Sequence, residues 1–485
     1  MWKLPARCGS NLTGLSTTAL NTPVTVAPRR QELNPVSSLS WDSGARMRAD
    51  AVPTPPLLLL LLLLLAAPAH AWTGRTSDPD AAYGSAAGFL MGLSRPANSS
   101  RIFYGVMFDA GSTGTRIHVY TFIHQDTALP VLDNEMFHSI KPGLSAYADS
   151  PETAAHTVKM LLKVAKKTVP RLEWKRTPVI LRATAGLRLL APERAQALLE
   201  QVEDVLEDSP FLLPDDGVGM MDGTSEGVLA WITINFLTGH LYANTQNTVG
   251  ILDLGGGSTQ ITFLPNLRKT IESSPGVDYV AQFEVFNSSH QLYSHSYLGN
   301  GLMAGRLATL GALGAEGLEW RVFTSACLPN RFSDQWRFGG LTYHLRGGQD
   351  GNAGYRPCHQ EVLKVVQGVV HQPPELGDGT AFYAFSYYFD RAVDAGLIDG
   401  VRGGTLEVRD FKKRAKEVCN KMAEGGPGVA RPFLCLDLTY ITCLLKEGFG
   451  FKESTVLQLT KKVNHAEASW SLGAMLDHFY NLKIR

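Results

Sequence analysis

The sequence predicts an α/β protein whose two related lobes face each other across a cleft. Its 485 residues are sufficient for two or three domains. Runs typical of strands alternate with runs typical of amphipathic helices, which is the pattern of an α/β fold. A unit of strand, glycine-rich turn and strand occurs twice, with the turns beginning at Asp109 and Asp253. An internal repeat of this kind predicts two domains of similar structure.

The composition is that of a globular protein, and it excludes several other classes. Hydrophobic residues make up 44% and charged residues 19% of the chain, which leaves ample apolar material for a core. Lysine and arginine together number 45, as do aspartate and glutamate, so the formal net charge is zero. A nucleic-acid-binding protein would normally carry a basic excess, and no nucleic acid partner is expected. Six cysteines in a chain of this length do not make a disulfide-rich miniprotein.

The amino-terminal region contains the pattern of a secretory signal. Nine consecutive leucines at 57–65 belong to an apolar run of about 15 residues, which is shorter than the roughly 20 that a membrane-spanning helix needs. A cleavage pattern, Ala69-His70-Ala71, follows this run, and two arginines, Arg46 and Arg48, precede it. The spacing is therefore that of a cleaved signal.

These features predict a signal peptide over residues 47–71, preceded by an upstream extension over 1–46 and followed by a loose leader over 72–101. An uncleaved signal anchor is the alternative. After cleavage the chain would carry no membrane anchor and would be located in the secretory lumen or outside the cell. Two glycosylation sequons, at Asn98 and Asn287, agree with that route.

Five cysteines follow the predicted signal peptide. In an oxidising compartment, cysteines that are neighbours in sequence are expected to pair. We therefore predict disulfides between Cys327 and Cys358 and between Cys419 and Cys435, with Cys443 left as a free thiol. A metal site is not expected among them, because neither a Cys-x-x-Cys motif nor a cluster of histidines accompanies them.

The predicted elements follow in order along the rest of the chain. They are strands at 103–108 and 116–122, a helix at about 151–168, a strand at 179–184, a helix from Pro192 to about Glu207, and a second pair of strands at 249–252 and 261–264. The first and the last pair of strands enclose the two repeated turns.

Each repeated turn has the composition of a phosphate-binding loop. The first reads DAGSTGT over residues 109–115, and the second reads DLGGGSTQ over residues 253–260. Glycines let the backbone approach a phosphate, and successive N–H groups in such a turn form an anion-binding concavity. An aspartate at the end of each first strand can hold a hydrated divalent cation against the phosphate. Two such loops facing each other would clamp a chain of phosphates from both sides.

Other motifs for phosphate binding or hydrolysis are absent from the sequence. No Gly-Lys dipeptide occurs, which excludes a Walker A loop. No Gly-x-Ser-x-Gly motif occurs either, and a strand rather than a helix is predicted after Ser258. Both observations argue against a hydrolase with a Ser-His-Asp triad.

The two turns and three further segments resemble the five conserved regions of the ecto-nucleoside triphosphate diphosphohydrolase (apyrase) family. The segments are 108–116, 183–188, 223–231, 252–260 and 470–473. They occur in the family's order over about Tyr104 to Leu482 and are most similar to the soluble nucleoside diphosphatases of the endoplasmic reticulum lumen. The resemblance implies an α/β fold with two lobes like those of actin and heat-shock protein 70, ribonuclease-H-like, around a nucleotide-binding cleft. Lobe I would comprise residues 102–222 and 463–485, and lobe II residues 223–462.

The resemblance also implies roles for individual residues. Glu226 matches the catalytic base, and Ser258 matches the residue that helps to position the attacking water. The metal ligands, acting mostly through water on Ca²⁺ or Mg²⁺, would be Asp109 and Asp253, with Thr184 near the same shell. The phosphate-binding residues would be Ser112, Thr113, Gly114, Thr115, Gly255, Gly256, Ser258, Gln260 and Arg188. The base would stack on Tyr440 and on one member of the run Tyr387-Tyr388-Phe389, with Tyr388 and Phe389 taken as the candidates.

Structural roles remain open for several of these residues. Glu226 is also expected in the first turn of an apolar helix, where a carboxylate is stabilised by the helix dipole. An aspartate suits a turn at the end of a strand, whether or not it holds a metal. Arg188 could instead be a surface or structural arginine, and a tyrosine-rich run is commonly part of a core.

The resemblance implies metal-dependent hydrolysis of the terminal phosphoanhydride of nucleoside diphosphates, with UDP, GDP and IDP as substrates and without a covalent intermediate. In the lumen of the endoplasmic reticulum this reaction would remove inhibitory UDP and support the glycosylation and folding of glycoproteins. Secretion is the other expected destination, and we expect a monomer. The alternatives are a nucleotide-dependent binding protein of the heat-shock-protein-70 type and a sugar or acetate kinase of the same superfamily.

Overall fold

The structure is a computed structural model, and it describes residues 102–124, 130–241, 247–285, 288–314, 320–348, 352–376, 379–424 and 430–480. These residues belong to one compact unit, Phe89–Arg485. The predicted upstream extension, signal peptide and leader lie outside the described residues, as do both sequon asparagines, Asn98 and Asn287.

The first lobe is built on a five-stranded sheet. Its strands are β1 (Ile102–Ala110), β2 (Thr115–Ile123), β3 (Val131–Ile140), β4 (Val179–Ala183) and β5 (Val218–Met220), in the spatial order β3-β2-β1-β4-β5. β1 is antiparallel to β2, and β2 is antiparallel to β3. β4 is parallel to both of its neighbours, β1 and β5. The tight turn between β1 and β2 carries the first glycine-rich motif.

Helices cover one face of this sheet. α1 (Pro151–Thr168) and α3 (Pro192–Glu207) each begin with a proline, whose fixed φ suits the first turn of a helix. The short α2 (Ala185–Arg188) lies between them along the chain. Their apolar residues pack with Ile117 and Val119 of β2. The strands and helices predicted for this part of the sequence are therefore confirmed.

The second lobe is built on a seven-stranded sheet. Its strands are β6 (Gly250–Leu254), β7 (Ser258–Phe263), β8 (Val280–Val285), β9 (Ser288–Leu298), β13 (Phe382–Ser386), β14 (Gly404–Glu407) and β15 (Val456–Leu459), in the order β14-β15-β13-β6-β7-β9-β8. A separate three-stranded sheet consists of β10 (Val322–Ser325), β11 (Ser333–Phe338) and β12 (Leu341–Gly347), and a two-stranded ribbon consists of β16 (Lys462–Val463) and β17 (Ala466–Glu467).

The five central strands of the second sheet repeat the arrangement of the first. The order β3-β2-β1-β4-β5 corresponds to β9-β7-β6-β13-β15, and every pair of neighbours has the same relative direction in both sheets. The two aspartates take equivalent places, since Asp109 lies opposite Arg116 in one ladder and Asp253 lies opposite Gln260 in the other. The internal repeat predicted from the sequence is thus confirmed.

Helices surround the second sheet. They are α4 (Gly223–Leu237), α5 (Arg268–Glu272), α6 (Leu302–Thr309), α7 (Tyr355–Val366), α8 (Tyr387–Asp394), α9 (Val408–Ala423) and α10 (Leu434–Cys443), which continues as a π-helical turn over Leu444–Phe449. Single 3₁₀ turns occur at Leu144–Tyr147, Arg171–Arg176 and Val277–Tyr279.

Both predicted disulfides are present in the second lobe. Cys327 is bonded to Cys358 of α7, and Cys419 of α9 is bonded to Cys435 of α10. Cys443 is buried and carries a free thiol, as predicted. The first bridge ties the segment after β10 to α7, and the second ties α9 to α10.

Two helices meet between the lobes. α4 packs on β7 and β9, whereas α11 (Ser471–Tyr480) packs on β1 and on α4. The two backbones touch at Gly473, where a Cβ atom would lie 2.1 Å from the carbonyl oxygen of Leu229. The Gly473 amide donates to Thr233 Oγ1 at 2.8 Å. Only glycine therefore allows this crossing, which places the first turn of α4 at the cleft.

Candidate active site

A cavity of about 400 Å³ lies between the two glycine-rich turns. Of the residues predicted from the sequence, its walls contain Asp109, Ser112, Thr113, Thr184, Glu226, Asp253, Gly255, Gly256, Ser258 and Phe389. The cavity continues along β2 and β3 of the first lobe and past the start of α8 in the second. The structure therefore brings these ten predicted residues together in one cavity.

The two aspartates lie buried at the centre of the cavity. Asp109 Oδ2 accepts a hydrogen bond from Arg116 Nη1 at 2.6 Å, whereas Asp109 Oδ1 has no partner among the described residues. Asp253 Oδ1 is likewise buried without a partner in this part of the chain. Burial raises the pKa of Asp253 to about 6, and the charge of Asp109 adds to this effect, although a hydrogen bond from Ser386 opposes it.

This pair of carboxylates fits a hydrated divalent cation. Each offers one oxygen that is buried and unpaired, and their mutual repulsion raises the pKa of Asp253. Oxygen ligands of this type, used largely through water, suit Ca²⁺ and Mg²⁺. The hydroxyl of Thr184 lies in the same cavity wall, and Thr184 is 5% exposed.

The two turns pack tightly against each other. A Cβ atom at Gly256 would lie 2.5 Å from Ser112 Oγ and 2.6 Å from Thr113 Cγ2, so no larger residue fits between the turns. The carbonyl groups of Gly255 and Gly256 accept hydrogen bonds from the first amides of α6 at 2.8–3.0 Å. Because these carbonyl oxygens are turned toward α6, they do not oppose an anion in the cavity.

Glu226 lies in the first turn of α4 and is 7% exposed. Its Oε2 accepts a hydrogen bond from Arg188 Nη2 at 2.5 Å. Burial raises the pKa of Glu226 to about 8; Arg188 works against this rise, whereas Asp253 and Asp109 add to it. A buried carboxylate with a raised pKa, beside a metal-type site, has the properties of a general base.

Arg188 is not among the residues that line the cavity. Its guanidinium forms an ion pair with the Glu226 carboxylate. This contact favours the structural role that the sequence left open for Arg188, and a contact with phosphate stays a prediction.

Three other predicted phosphate ligands also lie outside the cavity walls. Gln260 is buried behind Ser258, and its Nε2 donates to Ser258 Oγ and to Ser296 Oγ, both at 2.8 Å. It therefore orients Ser258, which does line the cavity. Gly114 and Thr115 belong to the far side of the first turn, where Thr115 is fully buried.

Two of the predicted base-stacking rings are in the core of the second lobe. Tyr388 and Tyr440 have no exposed surface, and Tyr440 Oη donates to the carbonyl of Asn300 at 2.8 Å. The stacking prediction is wrong for both rings in this structure. Tyr387 and Phe389 line the cavity instead.

Several residues of the walls were not identified from the sequence. They include Arg116, His118, Ser139, Lys141, Met303, Arg306, Ser386, Asp390, Arg391, Lys461 and Glu467. Ser386 could have been found from the internal repeat, since it precedes α8 as Thr184 precedes α2. Its φ of 55° is unusual for a residue other than glycine, and strain of this kind is concentrated at functional sites.

None of the helices in the part of the chain that the structure describes is long and apolar enough to cross a membrane.

Comparison with known proteins gives a consistent family. The model of the GDA1/CD39 (nucleoside phosphatase) family matches residues 96–485. The ectonucleoside triphosphate diphosphohydrolase 5 of Gallus gallus is 58% identical over 391 residues, which cover 80% of this chain and 90% of the relative. The nucleoside diphosphate phosphatase ENTPD5 of Homo sapiens is 55% identical over 399 residues, which cover 82% of this chain and 92% of the relative.

A solved structure supports the fold. The crystal structure of nucleoside triphosphate hydrolases from Neospora caninum superposes with a TM-score of 0.55 and 14% sequence identity. The match covers 82% of this chain and 96% of the other. At this level of identity the likeness concerns the fold alone, and it agrees with two α/β lobes around a cleft.

Proposed function

The chain belongs to the GDA1/CD39 (nucleoside phosphatase) family, and on this premise we propose that it hydrolyses the terminal phosphoanhydride of nucleoside diphosphates. The products are a nucleoside monophosphate and inorganic phosphate. One observation carries the proposal: the buried carboxylate of Glu226 lines the same cavity as two buried aspartates and two glycine-rich turns. The name of the human relative, nucleoside diphosphate phosphatase, supports the same reaction.

Glu226 is the general base. It accepts a proton from a water molecule, and that water attacks the terminal phosphorus directly, so that no covalent intermediate forms. Ser258, held by Gln260 at 2.8 Å, helps to position the water. Arg188 fixes the direction of the Glu226 carboxylate by its hydrogen bond to Oε2.

The two turns bind the phosphates through backbone N–H groups and hydroxyls. Ser112 and Thr113 approach from the first lobe, and Gly255, Gly256 and Ser258 approach from the second. Such turns form anion-binding concavities. Because the turns are in van der Waals contact through Gly256, phosphates bound here are held by both lobes at once.

The aspartates hold the cation that the reaction requires. Asp109 and Asp253, with Thr184 near them, bind Ca²⁺ or Mg²⁺ mostly through water. When bound, the cation neutralises charge on the phosphates in the ground state and the transition state. Arg116, which is bonded to Asp109, fixes the orientation of that carboxylate.

The nucleoside extends past the start of α8. Tyr387 and Phe389 line this part of the cavity, and the base stacks on Tyr387. UDP, GDP and IDP are the substrates that we propose, and the lumen of the endoplasmic reticulum or the extracellular space is the location. Removal of UDP there supports glycoprotein glycosylation and folding.

One assay tests the proposal. Purified protein is incubated with UDP and either Ca²⁺ or Mg²⁺, without any acceptor, and phosphate and UMP are measured. Release of both in equal amounts is expected. A kinase would require an acceptor, and a nucleotide-dependent binding protein would retain the nucleotide without comparable turnover. Absence of phosphate release with UDP, GDP and IDP alike would overturn the proposal.

A further inference from the structure

A buried histidine–glutamate pair lies in the wall of the cavity. His118 of β2 and Glu135 of β3 have side chains that are each 1% exposed. His118 Nδ1 lies 2.6 Å from Glu135 Oε1. The second carboxylate oxygen of Glu135, Oε2, accepts a hydrogen bond from the Glu467 amide at 2.6 Å. The carboxylate is thus held at both oxygens, and it fixes the orientation of the imidazole ring.

The other nitrogen of this ring is unused. His118 Nε2 is buried, and it has no hydrogen-bond partner among the described residues. His118 is one of the residues of the cavity wall, and Nε2 itself has almost no accessible surface. Buried polar atoms are nearly always hydrogen-bonded in folded proteins, so a missing partner at this place points to a ligand.

The donor and the acceptor of this hydrogen bond follow from the state of Glu135. Burial alone would raise the pKa of Glu135, but hydrogen bonds from His118 and from the Glu467 amide hold it below its usual range. Glu135 is therefore an ionised acceptor, and Nδ1 is the donor. In a ring that is protonated at both nitrogens, Nε2 is a donor as well. The other titratable groups around the pair are Tyr120, Glu467, Lys461 and Lys462.

His118 and Glu226 lie on different sides of the two aspartates. In the first sheet, Asp109 is on the central strand β1, Glu226 follows β5 on one side, and His118 is on β2 on the other side. In the second lobe, the start of α4 lies against β7. A Cβ atom at Gly227, next to Glu226, would lie 2.6 Å from Thr262 Oγ1 of that strand. Glu226 and His118 therefore flank the aspartates from opposite sides.

The charges of the two sides differ. On the side of Glu226, the residues of the second lobe are neutral, namely Gln260, Thr262, Ser294 and Ser296, and the cation Arg188 of the first lobe is paired with Glu226 itself. On the side of His118, the cavity wall contains three cationic residues, Arg116, Lys141 and Lys461. Glu467 also lies there, and its carboxylate is paired with Lys462 at 3.4 Å. This side suits an anion.

Phosphoryl transfer is an in-line displacement, in which the attacking and the leaving oxygens lie on opposite sides of the phosphorus. If Glu226 activates the water on one side, the leaving nucleoside monophosphate departs on the other. We infer that His118 is a further catalytic residue, which donates a hydrogen bond from Nε2 to the departing α-phosphate. The inference rests on the proposed function and involves no proton transfer to the product.

Two substitutions separate this role from a structural one. In His118→Asn the amide nitrogen replaces Nδ1 and keeps the hydrogen bond to Glu135, but nothing reaches the cavity. In His118→Gln the amide nitrogen reaches the place of Nε2. We expect kcat/KM for UDP to fall roughly tenfold to a hundredfold in His118→Asn, as for the loss of a hydrogen bond to a charged group, and less in His118→Gln. A purely structural histidine would give the reverse order.

A binding measurement makes the test independent of turnover. Calorimetric titration with UMP, the departing product, should show an affinity about tenfold or more weaker in His118→Asn, whereas the affinity for inorganic phosphate should be unchanged. The loss in kcat/KM should be the same for UDP, GDP and IDP, because the α-phosphate is common to them. His138→Asn is the matched control, since His138 is an exposed residue of β3 outside the cavity wall.

Several outcomes would overturn the inference. They are unchanged UMP affinity in His118→Asn, a larger loss in His118→Gln than in His118→Asn, or a loss confined to one base. Failure of the wild type to hydrolyse UDP would instead overturn the proposed function, while the UMP titration would still report on His118. Thermal unfolding of each variant shows whether the compared proteins are folded.

Discussion

Arg188 and Glu226 are 38 positions apart in the chain, yet the guanidinium Nη2 of Arg188 lies 2.5 Å from Oε2 of Glu226. The short helix α2 of the first lobe carries the arginine, and α4 carries the glutamate. Arg188 therefore positions the carboxylate that we propose as the catalytic base, and it opposes the rise in the pKa of Glu226 that burial causes. This pair leads directly to two predictions.

The first prediction concerns the base itself. Glu226→Gln keeps the shape and the hydrogen bonds of the side chain but removes its basicity. Turnover of UDP should fall by about 10²–10⁴, which is the usual contribution of general base catalysis, while nucleotide still binds. Steady-state rates and calorimetric titration measure the two effects. A variant that retained more than about a tenth of wild-type turnover would show that Glu226 is only a helix-start residue.

The second prediction concerns pH. Glu226 acts as a base only when ionised, so activity should rise with pH through its pKa, and Arg188 lowers that pKa. Arg188→Met should therefore move the rising part of the kcat/KM profile to higher pH. Arg188→Lys keeps the charge and should move it less. The bound cation lowers the pKa of Glu226 as well, so all profiles are compared at one saturating metal concentration. An unchanged profile in Arg188→Met would contradict the assignment.

The third prediction links metal binding to stability. The pKa values of Asp253 and Glu226 are raised to about 6 and about 8, so these two groups bind more protons in the folded protein than in the unfolded chain from about pH 4 to pH 8. Without metal, these two groups therefore reduce stability as the pH rises through this window. Ca²⁺ or Mg²⁺ should raise the Tm more at pH 8 than at pH 5, because the site needs ionised carboxylates.

Asp253→Asn tests this linkage. The variant should lose metal-dependent UDP hydrolysis, gain a few degrees in Tm at pH 8 in a chelator, and respond little to added metal. Glu226→Gln should keep the response to metal, since it leaves both aspartates in place. Thermal unfolding with and without chelator is the measurement. An Asp253→Asn protein with the wild-type response to metal would place the cation elsewhere.

The fourth prediction concerns the base-binding part of the cavity. Tyr387→Ala should raise the KM for UDP by about 5-fold to 100-fold, which is the usual effect of removing one aromatic stacking partner. Tyr387→Phe keeps the ring and should remain near the wild type. The effect on kcat should be smaller than the effect on KM, because stacking holds the base in the ground state and the transition state alike. An unchanged KM in Tyr387→Ala would exclude stacking on this ring.

The fifth prediction concerns the disulfides. The two bridges join residues separated by 31 and 16 positions, and each should stabilise the fold by about 3 kcal/mol in the loop-entropy model. Peptide mapping without reduction should recover Cys327 with Cys358 and Cys419 with Cys435. Reduction should lower the Tm by several degrees. Recovery of Cys443 in any bridge would contradict the assignment.

The sequence was sufficient for the features that depend on local pattern. The glycine-rich turns, the strands that flank them and the first turn of α4 all carry short signals, and the repeat linked the two turns to two lobes. Thr184 was placed correctly because it belongs to one of these segments. Ser386 was missed, although the same repeat relates it to Thr184 by its place before a helix.

The remaining features depend on tertiary packing. Whether Tyr387 or Tyr388 faces the cavity is decided by a rotation of about 100° along α8, which a run of aromatic residues does not reveal. Arg188 could not be separated from a phosphate ligand, because its partner Glu226 lies in another segment. His118 occurs in an apolar strand, and only the pairing with β3 shows that Glu135 holds it.

The matched order of strands in the two lobes has a consequence for the direction of the reaction. Two identical halves would grip a diphosphate equally well in either orientation, and either end would be open to attack. The halves have diverged at equivalent places: Asp109 is opposite the cation Arg116, whereas Asp253 is opposite the neutral Gln260. Glu226 has been added on one side only. The duplicated turns bind the phosphates from both sides. The different residues at equivalent places make the two ends of the site unlike, and this difference decides which phosphate is released.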